Sequence, residues 1–314
     1  MFIIINMRKR NGRNSRMRYV TNPSKYSALV AVAEAGSLTA AAEKLGYTQS
    51  GISHIIADLE AECGFPLLLR GKSGARLTRD GEKLIEPIRA LIRAQEQLAG
   101  TVDEINGLRS GRVRVGMFSS VAVNWAPAMA EEFSALYPNI DIEFFTGLYQ
   151  EIENKVLSEE LDCGFLTKQS KRGLSFTELA RDRLLAVLPK GHPLASLERV
   201  PVSFLGEEEF IIPGEGSNYD VGEIFRTCRV TPRVRYALSD DHAAVAMVER
   251  GLGVTILPEL VLGGRRENAE LRELDPAFHR TIGLVSRPNH AVSPAARAFM
   301  EFVRAFAKTA DNYI

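Results

Sequence analysis

Between Gly36 and Leu59 the chain is punctuated so closely that few folds can accommodate it. Tyr26, Leu29, Val30 and Val32–Ala33 make a helical apolar stripe that Gly36 ends. Ser37 stands where an N-cap belongs, and Leu38–Leu45 follows, short and rich in alanine, so another helix can approach closely. Gly46-Tyr47 makes a turn and Thr48 caps the next segment. In Gln49–Glu62, Ile52, Ile55, Ile56 and Leu59 recur at helical spacing and form one apolar face. Two short helices joined by a glycine-containing turn are the helix-turn-helix arrangement. Its second helix fits the major groove of DNA, where polar residues near the helix start reach base edges. Gln49, Ser50, Ser53 and His54 lie off the apolar face and are the expected base readers. Ser37, Thr39 and Thr48, hydroxyls at the two helix starts, complete the set on these helices.

Two short strands are expected next, Phe65–Arg70 and Gly74–Thr78, around a basic turn. Such a wing lays its cations near phosphates, and Arg70, Lys72 and Arg76 are the candidates. Charge has to be read locally here. The chain holds 39 basic and 39 acidic residues, so bulk charge does not coat nucleic acid. The zero is a sum of unlike parts. Residues 1–16 carry five basic residues and no acid, 17–110 balance at 11 of each, and 111–314 carry 23 basic against 28 acidic. Arg70, Lys72, Arg76 and Arg79 fall within one stretch that has no acid. The 1–16 segment reads as a basic arm, with Met17 an alternative start.

Thr78 opens a long helix, with Asp80 and Glu82 where the helix dipole favours acids. Leu84, Ile88, Leu91, Gln95, Leu98, Val102 and Ile105 step by four and three, a heptad seam. The seam predicts a dimerisation helix, with Gln95 as a polar register position and a kink at Pro87. The other reading of the seam is an ordinary helix packed on its own domain.

Beyond Gly111 the pattern alternates between strand and helix. Strands are expected at Arg112–Met117, Ile140–Phe145 and Cys163–Leu166, with helices at Val123–Tyr137 and Gln150–Ser158. This is a βαβαβ unit and implies a parallel sheet. The order returns in strand Phe210–Ile212, helix Tyr219–Thr227, strand Val234–Leu238, helix Ala243–Arg250 and strand Val254–Leu257. Two α/β lobes follow. Leu184–Leu188 and Ile282–Ser286 are the crossover strands between them, and helix Pro294–Lys308 returns to the first lobe. Ligands of open parallel sheets bind beyond the strand C-termini, here in a cleft shared by the lobes. Ser119, Ser120, Thr146, Thr167, Gly214, Ser217 and Asn218 are expected there and suit an anion such as a carboxylate. Ser, Thr and Asn also cap helices everywhere, so only the converging set carries weight.

Enzyme signatures are missing: there is no phosphate loop, no nucleophile elbow and no zinc-protease helix motif. The five histidines are scattered, and Asp240-Asp241-His242 reads as a helix start. Cys63, Cys163 and Cys228 fit neither a disulfide framework nor a zinc site. No catalytic residue, metal or cofactor is expected. No apolar run approaches the ~18 residues of a membrane span. Phe2–Ile5 precede basic residues, the reverse of an export signal, so a cytoplasmic location is expected.

Gly36-Ser37-Leu38-Thr39-Ala40-Ala41-Ala42, Leu45, Gln49-Ser50-Gly51-Ile52-Ser53, Leu59-Glu60, Gly64, Arg70, Leu77-Thr78 and Gly81 resemble the N-terminal domain of LysR-type transcriptional regulators. Gly191-His192-Pro193-Leu194 and Ser293-Pro294-Ala295-Ala296 extend the resemblance over most of the chain. It implies a winged helix-turn-helix over 17–78, a linker helix over 79–110 and a periplasmic-binding-protein-like effector domain over 111–314. Lobe I would comprise 111–182 and 281–314, and lobe II 183–280. It also implies double-stranded DNA, a small-molecule effector and RNA polymerase as partners, and a homodimer or homotetramer. The chain departs from the family in placing Ile56-Ala57-Asp58 where basic residues commonly stand, and in the length of its lead-in. The competing class is the solute-binding protein of a transporter, which the two lobes alone would allow.

Overall fold

A computed structural model describes residues 23–71, 74–105, 110–167, 172–214, 216–263, 268–288 and 292–308. The basic arm, Met17 and Lys72 lie outside the described residues. Contacts divide the chain between Gln95 and Glu96, inside its longest helix.

The first unit holds α1 (Pro23–Ala35), α2 (Leu38–Leu45), α3 (Gln49–Cys63), the hairpin β1 (Leu68–Gly71) and β2 (Gly74–Leu77), and the start of α4 (Arg79–Ile105). Its core gathers Leu29 and Val32 from α1, Ala41 and Ala42 from α2, and Ile52, Ile56 and Leu59 from α3, with Leu67, Ala75, Ile85 and Ile88. The expected caps are formed. Ser37 Oγ accepts from Ala40 N at 3.4 Å and Thr48 Oγ1 from Gly51 N at 3.1 Å. Gly46, left-handed at φ 70°, closes α2.

Backbone contacts fix the wing to the helices. Ala75 N donates to Gly36 O at 2.8 Å. Gly74 has φ +110°, and a Cβ built there would stand 2.3 Å from Gly36 O. Only glycine meets both conditions. Thr78 Oγ1 donates to Pro66 O at 2.9 Å and accepts from Gly81 N at 3.0 Å, which starts α4 beneath the wing.

Helix α4 continues through Pro87. Its seam is not uniform, a correction to the single heptad interface expected. Ile85 and Ile88 are buried in the first unit's own core, with Leu84 and Ile92 packed against it. Leu91, Gln95, Leu98, Val102 and Ile105 are exposed, Ile105 at 80%. The seam thus begins as an ordinary helix packed on its own domain and continues as an exposed apolar stripe.

The second unit is built on a seven-stranded sheet. Parallel β3 (Ser110–Met117), β4 (Asn139–Thr146) and β5 (Cys163–Thr167) form the first lobe's part. β6 (Ser175–Pro189) and β11 (Ala269–Ser286) pair antiparallel along almost their whole lengths and run from one lobe to the other. They are the expected crossover strands, longer at their outer ends than apolar runs alone suggest. β7 (Arg199–Pro201) and β10 (Thr255–Pro258) flank them. β8 (Glu209–Ile212) and β9 (Arg233–Ala237) pair in parallel, and a bridge between Phe210 and Val254 leads from them to β10.

The helix expected over 123–137 is two helices, α5 (Ser119–Asn124) and α6 (Ala126–Leu136). Pro127 lies in the first turn of α6; without an N–H, and with a ring that clashes one turn back, it cannot continue a helix through Trp125. Helices α7 (Tyr149–Leu157), α8 (Val202–Glu207), α9 (Ser217–Cys228), α10 (Asp241–Glu249), α11 (Glu259–Leu262) and α12 (Pro294–Phe306) complete the unit. Trp125, Met129, Phe133, Phe165 and Phe299 centre the first lobe's core, and α12 packs there as expected. Phe210, Ile224 and Phe225 centre one second-lobe core, and Ile211, Val248 and Leu257 another. Among the described residues no helix is long and apolar enough to cross a membrane.

Replacing Gly74 with alanine forces a side chain into a positive-φ residue against a carbonyl. Such strain costs about 1–3 kcal/mol, and chemical denaturation should show the variant destabilised by at least that much. An unchanged midpoint would mean the wing is not held by this contact.

Candidate functional site

The first candidate site is the face made by α3 and the wing. Gln49, Ser50 and His54 are exposed on the first two turns of α3, with Ser53 half-buried. The buried Ile52, Ile56 and Leu59 hold the opposite face of the helix on the core. Ser50 Oγ lies 3.1 Å from Thr48 Oγ1, so two of the expected contacts share a hydrogen bond. Thr39 is exposed and Ser37 half-buried at the start of α2.

Arg70 behaves differently from a free phosphate contact. Its Nη1 donates to Ser53 Oγ at 2.9 Å and its Nη2 lies 3.7 Å from Glu60 Oε2. Glu60 Oε1 accepts from Leu67 N at 2.7 Å and Leu68 N at 3.0 Å. The wing is thus latched to α3 through one carboxylate. Arg76 is exposed on β2. The unusual Ile56-Ala57-Asp58 also has an account: Ile56 is core, and Lys25 pairs with Asp58 at 3.4 Å and with Glu62 at 2.9 Å. That cation offsets acids that would otherwise repel phosphate.

The second candidate site is a cleft of about 240 Å³ between the lobes. Ser119, Ser120, Thr146, Gly214 and Ser217 line it, as expected. Thr167 and Asn218 do not, and both expectations need correcting. Thr167 is 1% exposed, sealed at the end of β5 inside the first lobe. Asn218, second in α9, turns outward to solvent. Gly214 is there for close approach: a Cβ would lie 2.9 Å from Ser239 O.

The buried cation of the cleft is Arg280, which sequence reasoning does not single out. It sits on β11 directly opposite Asp182 of β6. Its side chain is 2% exposed and Asp182's 1%, with Nη2 2.8 Å from Asp182 Oδ2. Arg280 also donates to Ser120 Oγ at 2.8 Å and to the Tyr149 hydroxyl at 3.2 Å, and its guanidinium lies over the Phe118 ring. Burial pushes the Tyr149 hydroxyl up to about 12, so it remains protonated.

Of the second lobe's acids, the sequence marks only Asp240 and Asp241, as a helix start. Asp240 is a helix cap: Oδ1 accepts from Ala243 N at 2.8 Å. Asp241 instead reaches back to the start of α9, accepting from Gly214 N at 2.9 Å and Ser217 Oγ at 2.7 Å. Asp220, in the first turn of α9, is 5% exposed and its Oδ2 has no hydrogen-bond partner. Burial lifts its carboxyl to about 6, against the pull of Arg280. The only sequence signal for this cluster is a charged residue just ahead of each apolar crossover stretch. The pairing itself spans 98 positions and is not readable locally.

Residues 24–82 match the family model described as the bacterial regulatory helix-turn-helix protein, lysR family, and residues 106–308 match the LysR substrate binding domain. The chain is 28% identical over 278 residues to the uncharacterized HTH-type transcriptional regulator YvbU of Bacillus subtilis, covering 88% of this chain and 95% of that one. Full-length CbnR, solved with its target DNA, superposes with TM-score 0.64 at 20% identity, covering 91% of this chain and 99% of that one. The effector binding domain of QuiR, solved with shikimate, superposes with TM-score 0.58 at 22% identity, covering 64% and 98%.

Asp220 gives the cleft a pH signature. Its value of about 6 in the folded chain lies above the ordinary ~3.9 of an unfolded aspartate. The folded state therefore holds the proton more tightly, and stability falls as pH rises from about 4 to about 6. Asp220→Asn should be more stable than wild type by on the order of 2 kcal/mol near neutral pH and above, with the gain vanishing by about pH 4. Urea denaturation across that range checks it, and parallel pH–stability curves for the two proteins would refute it.

Proposed function

This chain belongs to the LysR family of bacterial transcriptional regulators, and on that premise we propose how its two sites divide the work. It is a DNA-binding transcriptional regulator with an effector-binding domain. The alternative of a transporter's solute-binding protein has no support, because the family match includes the helix-turn-helix over 24–82. Gln49, Ser50, Ser53 and His54 read bases, and Thr39, Thr48 and Ser37 position the helices at the backbone. Arg76, together with Lys72 outside the described residues, contacts phosphate, while Arg70 is shared between phosphate and its latch on Glu60. The observation that carries this reading is the exposed polar first two turns of α3 beside a wing whose described part, like its sequence, has no acid.

Two copies of the chain pair through the exposed stretch of α4, with Leu91, Leu98, Val102 and Ile105 as the apolar positions and Gln95 as the polar one. Dimers bring two recognition helices to two half-sites, and pairing into tetramers extends this. The regulator works in the cytoplasm and contacts RNA polymerase. A small molecule with a carboxylate binds in the cleft, its acid facing Ser119 and Thr146. The shikimate held by the similar QuiR domain supports a small polar metabolite of this kind.

The DNA reading separates two classes of variant. Gln49→Ala should narrow the preference for the operator over random DNA by about 1–3 kcal/mol. Arg76→Ala should weaken binding to both and lower the log–log salt slope by about one. Fluorescence anisotropy on operator and scrambled duplexes measures both, and equal loss on every sequence for both variants would sink the assignment. For the cleft, Ser119→Ala should weaken effector binding in calorimetry with a metabolite panel. A metabolite bound at full strength by that variant counts against Ser119.

A further inference from the structure

We propose that the effector also carries a cationic group, an ammonium or a guanidinium, held at the second-lobe wall of the cleft by Asp240 and Asp241. The inference rests on the reading of this cleft as the effector site. It comes from the charge balance of the cleft's described lining, in which Glu151, Asp240 and Asp241 stand against Arg280 as the one Arg or Lys.

On the first-lobe wall Ser119 and Thr146 present hydroxyls, and the one acid described there, Glu151, accepts from Leu148 N at 3.3 Å. The second-lobe wall carries two adjacent acids: Asp240 and Asp241 line it beside Ser239 and His242. Asp220 lies behind them, within electrostatic reach of Asp241, Asp182 and Arg280. Arg280 is the cation that acts most strongly on Asp220, and its charge is already matched by Asp182 at 2.8 Å on the facing strand. Among the described residues no Lys or Arg forms an ion pair with Asp220, Asp240 or Asp241.

Capping does not remove this excess. Asp240 uses one oxygen on Ala243 N, and Asp241 binds neutral partners, Gly214 N and Ser217 Oγ. A helix N-terminus supplies only about half a positive charge, against a full negative charge on each carboxylate. Asp220 Oδ2, buried without a partner, shows that the wall is left under-compensated. A ligand that carried only a carboxylate would bring a further negative charge into this field. A ligand cation against Asp240 and Asp241 relieves it, while the acid end meets the hydroxyls of the first lobe. The 240 Å³ available suits a zwitterion of amino-acid size.

The test uses the full-length protein and matched triplets: each proteinogenic amino acid, its 2-hydroxy acid and its decarboxylated amine. Thermal shift screens them, and calorimetry ranks those that bind. The expected result is at least one amino acid or amine that binds tenfold or more tightly than its 2-hydroxy acid. Asp240→Asn, which retains the capping oxygen, should remove most of that preference while its unliganded melt stays cooperative; Asp241→Asn should do the same. A 2-hydroxy acid that binds as tightly as its ammonium partner, or silence across the whole panel, overturns the inference. If such a hydroxy acid is weakened by Ser119→Ala, the cleft remains the effector site and only the cation is lost. If a bound compound is indifferent to Ser119→Ala, Asp240→Asn and Asp241→Asn alike, the cleft reading falls with it.

Discussion

A guanidinium buried as fully as that of Arg280 survives only where each of its nitrogens has a partner, because removing a charge from water costs several kcal/mol even after relaxation. Arg280 meets that condition with partners from across the second unit: Asp182 on the facing crossover strand, Ser120 at the start of α5 and Tyr149 at the start of α7. Three segments distant in sequence are fixed in register around one planar cation. A lysine could not replace it, since a point charge does not present a planar fork of donors. Breaking such a pair on one side alone would leave an unmatched buried charge, the costliest outcome for a polar core.

The DNA-binding unit uses a different economy. Its helices are short, and isolated helices of that length are marginal in water. They persist because Ile52, Ile56 and Leu59 enter one core with α1, α2 and the start of α4. The wing, too small to stand alone, is held at two places by backbone partners. Glu60 accepts from Leu67 and Leu68, and Gly36 O accepts from Ala75. The described part of the face made by α3 and the wing is thereby held by the fold itself, and a surface ordered in advance costs little entropy in a later binding step.

Much of this was legible in the chain because it is local. Caps, glycine turns and helical periodicity act over a few residues, and Ser37, Gly46 and Thr48 behave as their positions indicate. The crossover strands were legible as apolar runs, though their ends, which alternate charged and apolar residues, were not. The seam of α4 departs from its periodicity where it begins, because periodicity states which face is apolar and not what covers it. Ile88 and Leu98 share one heptad pattern, yet one meets the chain's own core and the other solvent. The cleft divided in the same way. Hydroxyls at helix starts were found by position, whereas Arg280, Asp182 and Asp220 depend on strand pairing across the whole second unit. The burial of Thr167 is not legible, because a strand end can close into a core as readily as it opens to a cleft.

The hydrogen bonds around Arg280 close on themselves. Arg280 donates to Ser120 Oγ; Asn124 Nδ2 donates to both Ser120 O and Leu260 O; Leu260 N donates to Asp182 Oδ1; and Asp182 pairs with Arg280. This circuit passes through α5, α11 and both crossover strands, and Leu260 and Val261 of α11 belong to the cores of different lobes. A ligand shifts a conformational equilibrium only by the difference between its contacts in the two states. Ser120 and Asn124 line the cleft and are members of the circuit, so a ligand against them acts on groups whose partners lie in both lobes. The crossover ladder is irregular between Glu273 and Phe278, just ahead of Arg280. Such irregularities bend and twist a strand locally. The point where the ladder is least regular thus adjoins the point where it is most tightly bound, and a contact at the cleft floor bears on both.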